Sequence, residues 1–462
     1  MLNRGELEGR FDAFYYKQEF IELEKKVKNV LTHKLRDLIR YIASGATPDK
    51  DNPDLYYSDI KTGVPFLRVQ NVLAEGLDLS DVIFINQETH NKMLNRSKVF
   101  EDNLLITITG RIASCCVAPK DFDGNINQHS VVIKTDNLET SEVLATYLNS
   151  TVGQKLALRR TTGGTRPALD YIALKSIPIV FKPEIVEVIK KAYAEKKAKE
   201  AEAREKLASV DKLVLDALGI TLPDAEVNTL ARRIFFTKSS DIASGRFDAF
   251  FYTNYYKTIE KTISNSKVQF LPLKRVTSKI TDGSHYSPQS SKDLAKKYVT
   301  VRDINSYGEI NFKNCFSVSE EDFELLEKSG CRPDFGDVLF SKDGTIGKTH
   351  TVNDTNDFVI LSSLAIIRPN TNLLNPKYLE YILKTELILS LIKRLMGGSA
   401  LQRIILQNLK ELQIPIPPPE IQKEIAERVE AIYAEAKLLR EQGVSILKHA
   451  KTEVERMILG EG

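Results

Sequence analysis

Four cysteines in 462 residues (Cys115, Cys116, Cys315 and Cys331) form no CxxC pair, and only six histidines accompany them. A zinc site and a secreted disulfide scaffold are therefore both set aside. No run approaches the ~18 apolar residues of a membrane-spanning helix. The opening segment MLNRGELEGRFDAFYY lacks an apolar signal core, so the expected location is the cytosol. There is no glycine-rich cofactor loop after a strand, no Asn/Asp-Pro-Pro-aromatic tetrapeptide and no GxxxxGK[ST] phosphate loop. Neither methyl transfer nor ATP use by this chain is supported, and no Ser/His/Asp set can be assigned from spacing. Excess charge is also missing: 65 basic against 62 acidic residues leave +3. That excludes a polycation but not DNA binding, which needs only a local basic face.

What the chain does have is itself, twice. Gly9-Arg10-Phe11-Asp12-Ala13-Phe14-Tyr15-Tyr16 recurs as Gly245-Arg246-Phe247-Asp248-Ala249-Phe250-Phe251-Tyr252, seven of eight positions identical at an offset of 236. Weaker echoes keep the order. Pro65–Val72 matches Lys297–Ile304, Gly110-Arg111-Ile112 matches Gly344-Thr345-Ile346, and Val131–Lys134 matches Ala365–Arg368. Gly163-Gly164-Thr165 matches Gly397-Gly398-Ser399, and Pro183-Glu184-Ile185 matches Pro419-Glu420-Ile421.

Each half opens with about 180 residues of short β-like runs, such as Leu104–Thr109, Ser130–Lys134, Val338–Ser341 and Ala365–Arg368. Helical patches at Ser141–Arg160 and Asn375–Leu395 lie between them. Proline-rich punctuation then leads into a long helix, roughly Glu184–Leu218 before Gly219 and Glu420–Leu459 before Gly460. Heptad-like spacing marks Ile185, Val188, Leu207, Val210 and Val214 on the first, and Ile425, Val429, Ile432, Leu439, Ile446 and Val454 on the second. Gly443 interrupts the second stripe, and the Ala/Lys/Glu-rich centre of the first lacks a clean seam. One apolar stripe per helix calls for a partner, and the simplest is the other helix, antiparallel. The expected fold is therefore α/β: mixed globes at residues 1–182 and 220–416, spacer helices at 183–219 and 417–462, and a pseudo-two-fold internal repeat.

In this order, repeated twice, the features resemble the specificity subunit of a type I restriction-modification system. The resemblance covers the whole chain. It rests on the Gly-x-Ile turns, the Gly-Gly-Thr/Ser segments and the Lys-Ser-Ile-Pro-Ile and Leu-Gln-Ile-Pro-Ile-Pro-Pro-Pro-Glu-Ile-Gln approaches to the helices. The first globe departs from the family pattern, with Thr109-Gly110-Arg111-Ile112-Ala113 where the second has Gly344-Thr345-Ile346-Gly347. The resemblance implies two target-recognition domains, each reading half of a split site in double-stranded DNA, with the helices fixing the gap. It implies no catalysis by this chain and no cofactor on it. S-adenosylmethionine, ATP and Mg belong to the partners: modification subunits, two of them, and restriction subunits.

Base reading needs Arg, Lys, Asn, Gln, Ser or Thr on firmly held loops. Candidates in the first globe are Arg68, Gln70, Asn71, Arg111, Asn127, Gln128, Thr165 and Arg166, with Asn125, His129 and Thr162 beside them. In the second they are Lys279, Thr281, Ser284, His285, Arg302, Lys342, Thr345, Lys348, Ser399 and Arg403, with Tyr286 beside them. Asn125, Asn127 and Gln128 suit turn chemistry equally well, and Arg68 and Asn71 suit strand-end capping. No second His or Cys stands at ligand spacing from His285, so no metal site is expected.

Two other readings compete. Pro53-Asp54 followed by Asp59-Ile60-Lys61 formally fits a metal nuclease's PD…DxK, but Asp49–Gly63 reads as a loop and the second half has no counterpart. A helical scaffold that holds protein partners without reading DNA suits the helices and leaves the polar loops unexplained.

Overall fold

The structure is a computed structural model that describes residues 12–30, 33–163, 166–224, 234–238, 242, 247–286, 288–290, 294, 296–305, 307–353, 356–396 and 403–461. The chain divides into two units, one drawn from residues 1–200 and 440–462, the other from 201–439.

In the first unit a four-stranded antiparallel sheet runs in the order Cys115–Val117, Leu104–Thr107, Ser130–Lys134, Tyr41–Ser44. A five-stranded sheet contains one parallel pair, Val64–Leu67 beside Asp123–Ile126. Successive strand residues point to opposite faces. Leu104, Ile106, Val131 and Ile133 accordingly join a core with the helices, while Leu105 and Val132 join Leu67, Val99 and Ile126 on the other face. Burial on both faces is why these strands read as unbroken apolar runs.

The second unit repeats the plan. Thr277–Asp282, Leu364–Pro369, Val338–Ser341 and Thr349–Thr351 form the antiparallel sheet in the matching order. Lys296–Val299 lies parallel to Phe358–Ile360. Val338, Phe340, Ala365 and Ile367 face the helical core, while Leu339, Leu364 and Ile366 face the other way. In both units a two-stranded clamp ties the start of the globe to the approach to a long helix: His33–Lys34 with Pro178–Ile179, and Gln269–Pro272 with Gln413–Ile416.

Three local expectations change. Ser141–Arg160 is two helices, Leu138–Asn149 and Thr151–Arg159, broken where the Ser150 hydroxyl caps Gly153 N–H. Asn375–Leu395 likewise divides into Pro376–Ile382 and Glu386–Met396. Asp49–Gly63 is not all loop, since it holds a one-turn helix at Pro53–Tyr56 and a strand at Tyr57–Ser58.

The repeated aromatic arms acquire a physical role, read from Asp12 and Phe247 onward. The Asp12 carboxylate accepts the Tyr15 N–H at 2.9 Å, and Asp248 accepts that of Phe251 at 3.0 Å, so each arm ends in a capped turn. A helix arginine then clamps the turn. Arg159 Nε donates to the Tyr15 carbonyl at 3.0 Å with its guanidinium 4.2 Å from the ring centre. Arg394 does the same to Phe251 at 3.0 and 4.1 Å. Glu24 holds Arg159 and Arg160, and Glu260 holds Arg394. Burial would raise the Glu24 carboxyl's pKa, but the charges of Arg160, Arg159 and Lys28 outweigh it and hold the pKa below the ordinary value.

The long helices are Glu184–Ala217 and Pro419–Leu459, at 34 and 41 residues, or about 50 and 60 Å. Each ends at a left-handed glycine, Gly219 (φ +64°) and Gly460 (φ +70°). In the first unit Lys182 reaches the Met457 carbonyl and Lys196 lies against Gly443, so the two helical segments run antiparallel there. In the second, Lys206 pairs with Glu435 at 2.7 Å. Ala203, Leu207, Ala436 and Leu439 form a core of helix residues alone. Elsewhere the stripe is not a bare two-helix seam, as the spacing suggested. Ile185, Val188 and Val454 share the first globe's core, and Val210, Val214, Ile425, Val429 and Ile432 share the second's. Ile446 is half-buried. At Gly443 a Cβ would stand 3.3 Å from Lys196 Cγ, so the residue that interrupts the stripe is the one that lets the backbones approach.

Candidate nucleic-acid interface

In the first unit four loops meet at one end of the antiparallel sheet. Gly45 carries the chain past Ile126, so closely that a Cβ there would lie 1.6 Å from the Ile126 carbonyl oxygen. The Thr47 hydroxyl donates to Gln128 on the facing loop. Thr109 Oγ1 and His129 Nδ1 are 2.6 Å apart, and Thr109 and Thr162 both bridge to Ala168. Arg111 projects from the adjoining Gly-x-Ile turn and Arg166 from the segment before Ala168, both exposed. Thr165 lies outside the described residues.

The second unit assembles the same cluster from different side chains. Gly283 passes Leu361 as Gly45 passes Ile126, with a Cβ 2.3 Å from the carbonyl oxygen. Ser284 bridges to Leu361, and Asp343 bridges to Arg403. Lys342 is 1% exposed and sits 3.4 Å from both Asp282 and Asp343. Arg403 Nε is 3.0 Å from Asp343, and His285 Nε2 is 3.3 Å from Asp282. Thr281, Ser284, His285, Lys342, Thr345 and Arg403 are thus brought together. Ser399 lies outside the described residues.

The Gly-x-Ile turns are built alike. Thr107 Oγ1 donates to the Arg111 carbonyl and accepts the Ser114 N–H, while Ser341 Oγ donates to the Thr345 carbonyl and accepts the Lys348 N–H. Gly110 and Gly344 take φ +74° and +72°. The departure noted in the first globe has a cost, because Ala113 is held at φ +54° where the second has Gly347 at +93°.

Several candidates turn out to serve the loops. Asn71 is buried; its side chain accepts the Arg68 N–H and donates to the Asp78 carbonyl. Asn127 is buried and accepts the His129 N–H, and Asn125 lies in a buried group with Ser97 and His90. Arg68 and Gln70 both converge on Asp81, at 3.1 and 2.5 Å. Lys348 Nζ donates to the Val301 and Ile304 carbonyls at 3.0 and 2.6 Å, bracing the turn that carries exposed Arg302. Lys279 Nζ is 3.5 Å from the Gly330 carbonyl. Asn71, Asn127 and Lys342 are buried and here shape the loops; a side chain closed off from solvent reaches a base only if its loop opens. Sequence reasoning passed over Thr47, Asp81, Asp282 and Asp343. Acidic partners carry no signal of their own in a search for DNA-binding residues. Asp59 accepts the Lys61 and Thr62 N–H groups and so caps its own turn, and no cluster of three or more metal-ligating side chains occurs among the described residues. No helix among them is long and apolar enough to cross a membrane.

Comparison with known proteins bears on this geometry. Residues 265–446 match the family described as the type I restriction modification DNA specificity domain. That span takes in the second unit's loop cluster. A 111-residue stretch is 34% identical to the putative type I restriction enzyme MjaX specificity subunit of Methanocaldococcus jannaschii, covering 23% of this chain and 26% of that protein. A 144-residue stretch is 27% identical to the type I restriction enzyme EcoBI specificity subunit of Escherichia coli, covering 31% and 30%. The matched stretches thus span under a third of those relatives. The crystal structure of the type I restriction-modification S subunit from M. genitalium aligns over 93% of this chain and 95% of that one at 10% identity and a TM-score of 0.41. Over residues 265–446 the chain is thus similar to the type I restriction modification DNA specificity domain, and the relatives it matches in sequence are specificity subunits of such systems.

Proposed function

We propose that the chain is the DNA sequence-recognition subunit of a type I restriction-modification complex, each unit reading one half of a bipartite, asymmetric site in double-stranded DNA. The observation that carries this reading is the duplicated loop cluster: one scaffold, two sets of side chains. Thr109, Arg111 and His129 stand where the other unit has Asp343, Thr345 and Ser363. Loops held by close backbone packing and internal ion pairs present donors and acceptors in fixed positions, as base-edge reading requires. Unlike side chains on like frames read unlike half-sites.

Both long helices begin in one unit and end in the other, which suits them to fix the gap between half-sites. Adenine methylation by S-adenosylmethionine-using modification subunits, two per complex, and ATP- and Mg-dependent cleavage by restriction subunits belong to partners docked on this chain. No catalytic step falls to the chain itself, whose place is the cytoplasm. The test is co-expression with its modification subunit and genome-wide mapping of methylated adenine. A single motif of two unlike halves around an unspecified gap is expected. A contiguous motif, or methylation with no motif, refutes the reading.

A further inference from the structure

Most cations around the two loop clusters are already neutralised or committed. Arg68 is paired with Asp81, Lys342 with Asp282 and Asp343, Arg403 with Asp343, and Lys348 with two carbonyls. Arg111 differs. It is exposed, and its side chain makes no hydrogen bond or ion pair among the described residues. Its backbone, by contrast, is unusually constrained. The Thr107 hydroxyl ties both ends of the turn together. Ser114 Oγ donates to the Val72 carbonyl at 2.9 Å, anchoring the turn to the neighbouring loop. Ala113, fully buried, fixes the exit at φ +54°, a conformation an alanine adopts only under constraint from its surroundings. A free guanidinium on a rigid mount suits directional recognition. A residue needed only for its charge requires no such mount.

We infer that Arg111 is a specificity-determining residue that reads a guanine in the first unit's half-site through the paired N–H fork of its guanidinium, an assignment that rests on the DNA-reading function proposed above. The fork matches the O6 and N7 acceptors of guanine in the major groove, the commonest base-specific contact an arginine makes. The second unit has Thr345 at the equivalent place, a short hydroxyl that cannot span two acceptors. The two half-sites therefore differ at this position because of this residue.

The test measures the recognised motif and the salt dependence of binding for the wild-type complex, Arg111→Ala, Arg111→Lys and, as the opposite-half control, Thr345→Val. Arg111 is exposed, so its variants keep the fold. In the wild type, replacing one G·C pair of one half-site should weaken binding about 5- to 150-fold. In Arg111→Ala that single position should become degenerate, with the rest of that half and all of the other half unchanged. Arg111→Lys should keep the charge and the salt slope yet lose the discrimination. A uniform loss across all sequences with a salt slope lower by about 1 would mark a phosphate contact and overturn the inference. So would an unchanged motif, or a degenerate position that is not G·C. If the wild-type complex selects no motif at all, the proposed function fails and this assignment fails with it.

Discussion

Glu24 and Glu260 occupy the same place in the repeat, yet removing their charge should have unequal consequences. Glu24 has a side-chain exposure of 6% and faces Arg159 and Arg160, at 5% and 7%. Glu260 is 56% exposed and faces one arginine, Arg394, at 10%. Breaking a buried pair by deleting one partner costs about 3–5 kcal/mol, because the remaining charge stays desolvated. An exposed pair is worth about 1 kcal/mol or less. Glu24→Gln keeps one acceptor, so about 3 kcal/mol is expected, and Glu24→Gln leaves two cations to bury rather than one. At 1.4 kcal/mol per decade that is on the order of a 100-fold change in an opening equilibrium. Native-state hydrogen exchange read by mass spectrometry resolves the units separately. Glu24→Gln should reduce protection across Leu138–Arg159 by about that factor. Glu260→Gln should change protection in Glu386–Met396 by less than about tenfold. Equal effects at the two sites, or none at Glu24, would show that the clamp's burial does not set its energetic weight.

The remaining expectations concern close approaches and a buried carboxylate. Gly45→Ala places a Cβ 1.6 Å from the Ile126 carbonyl oxygen, and should destabilise the first unit by about 3 kcal/mol in a urea titration while distorting the loops that hold Gln128 and His129. Gly443→Leu meets Lys196, with its Cγ 3.3 Å and its Cα 3.5 Å from the Cβ position; a loss of about 1–3 kcal/mol is expected, and no loss would mean that the helices are not held close there. Glu380 accepts from Thr351 and pairs with Lys384 and Lys377 at 3.0 and 3.2 Å. Burial raises its pKa, but the two lysines and Thr351 outweigh that and leave it lowered from 4.5. Its stabilisation is thus present above the unfolded-state value and lost as pH falls through the lower folded one. The stability gap between wild type and Glu380→Gln, measured by denaturation, should be full at pH 7 and close as the solution is acidified below about 4.5. A gap that widens in acid would reverse the sign of this argument.

The candidate site was only partly legible in the sequence. Residue type and loop position brought Arg111, Gln128, Ser284, His285, Thr345 and Arg403 to notice, and these do gather at the sheet ends. The same criteria also selected Asn71, Asn127 and Lys342, whose polar atoms are spent inside the fold. Burial depends on what packs above a loop, and a list of polar residues does not contain that. The arms were conspicuous as a repeat but mute as to purpose. Their clamps are Arg159 and Arg394, some 140 residues further along the chain, and nothing local links the two.

What the sequence determined by itself was everything carried by local periodicity and by duplication. The 236-residue offset announced two like modules, and the short runs rich in Ile, Val and Thr announced strands. The apolar stripe with glycine after it announced long helices and where they stop. These are properties of neighbouring residues, fixed by side-chain direction and backbone sterics before any distant contact forms. The tertiary structure alone decided which stripe residues meet the other helix and which meet a globe, and why Gly443 belongs in the seam. It also decided that Glu24 is buried while Glu260 is not, and which cations are left free to meet a ligand. Each of those depends on segments far apart in the chain arriving at one place, and on the desolvation that follows when they do.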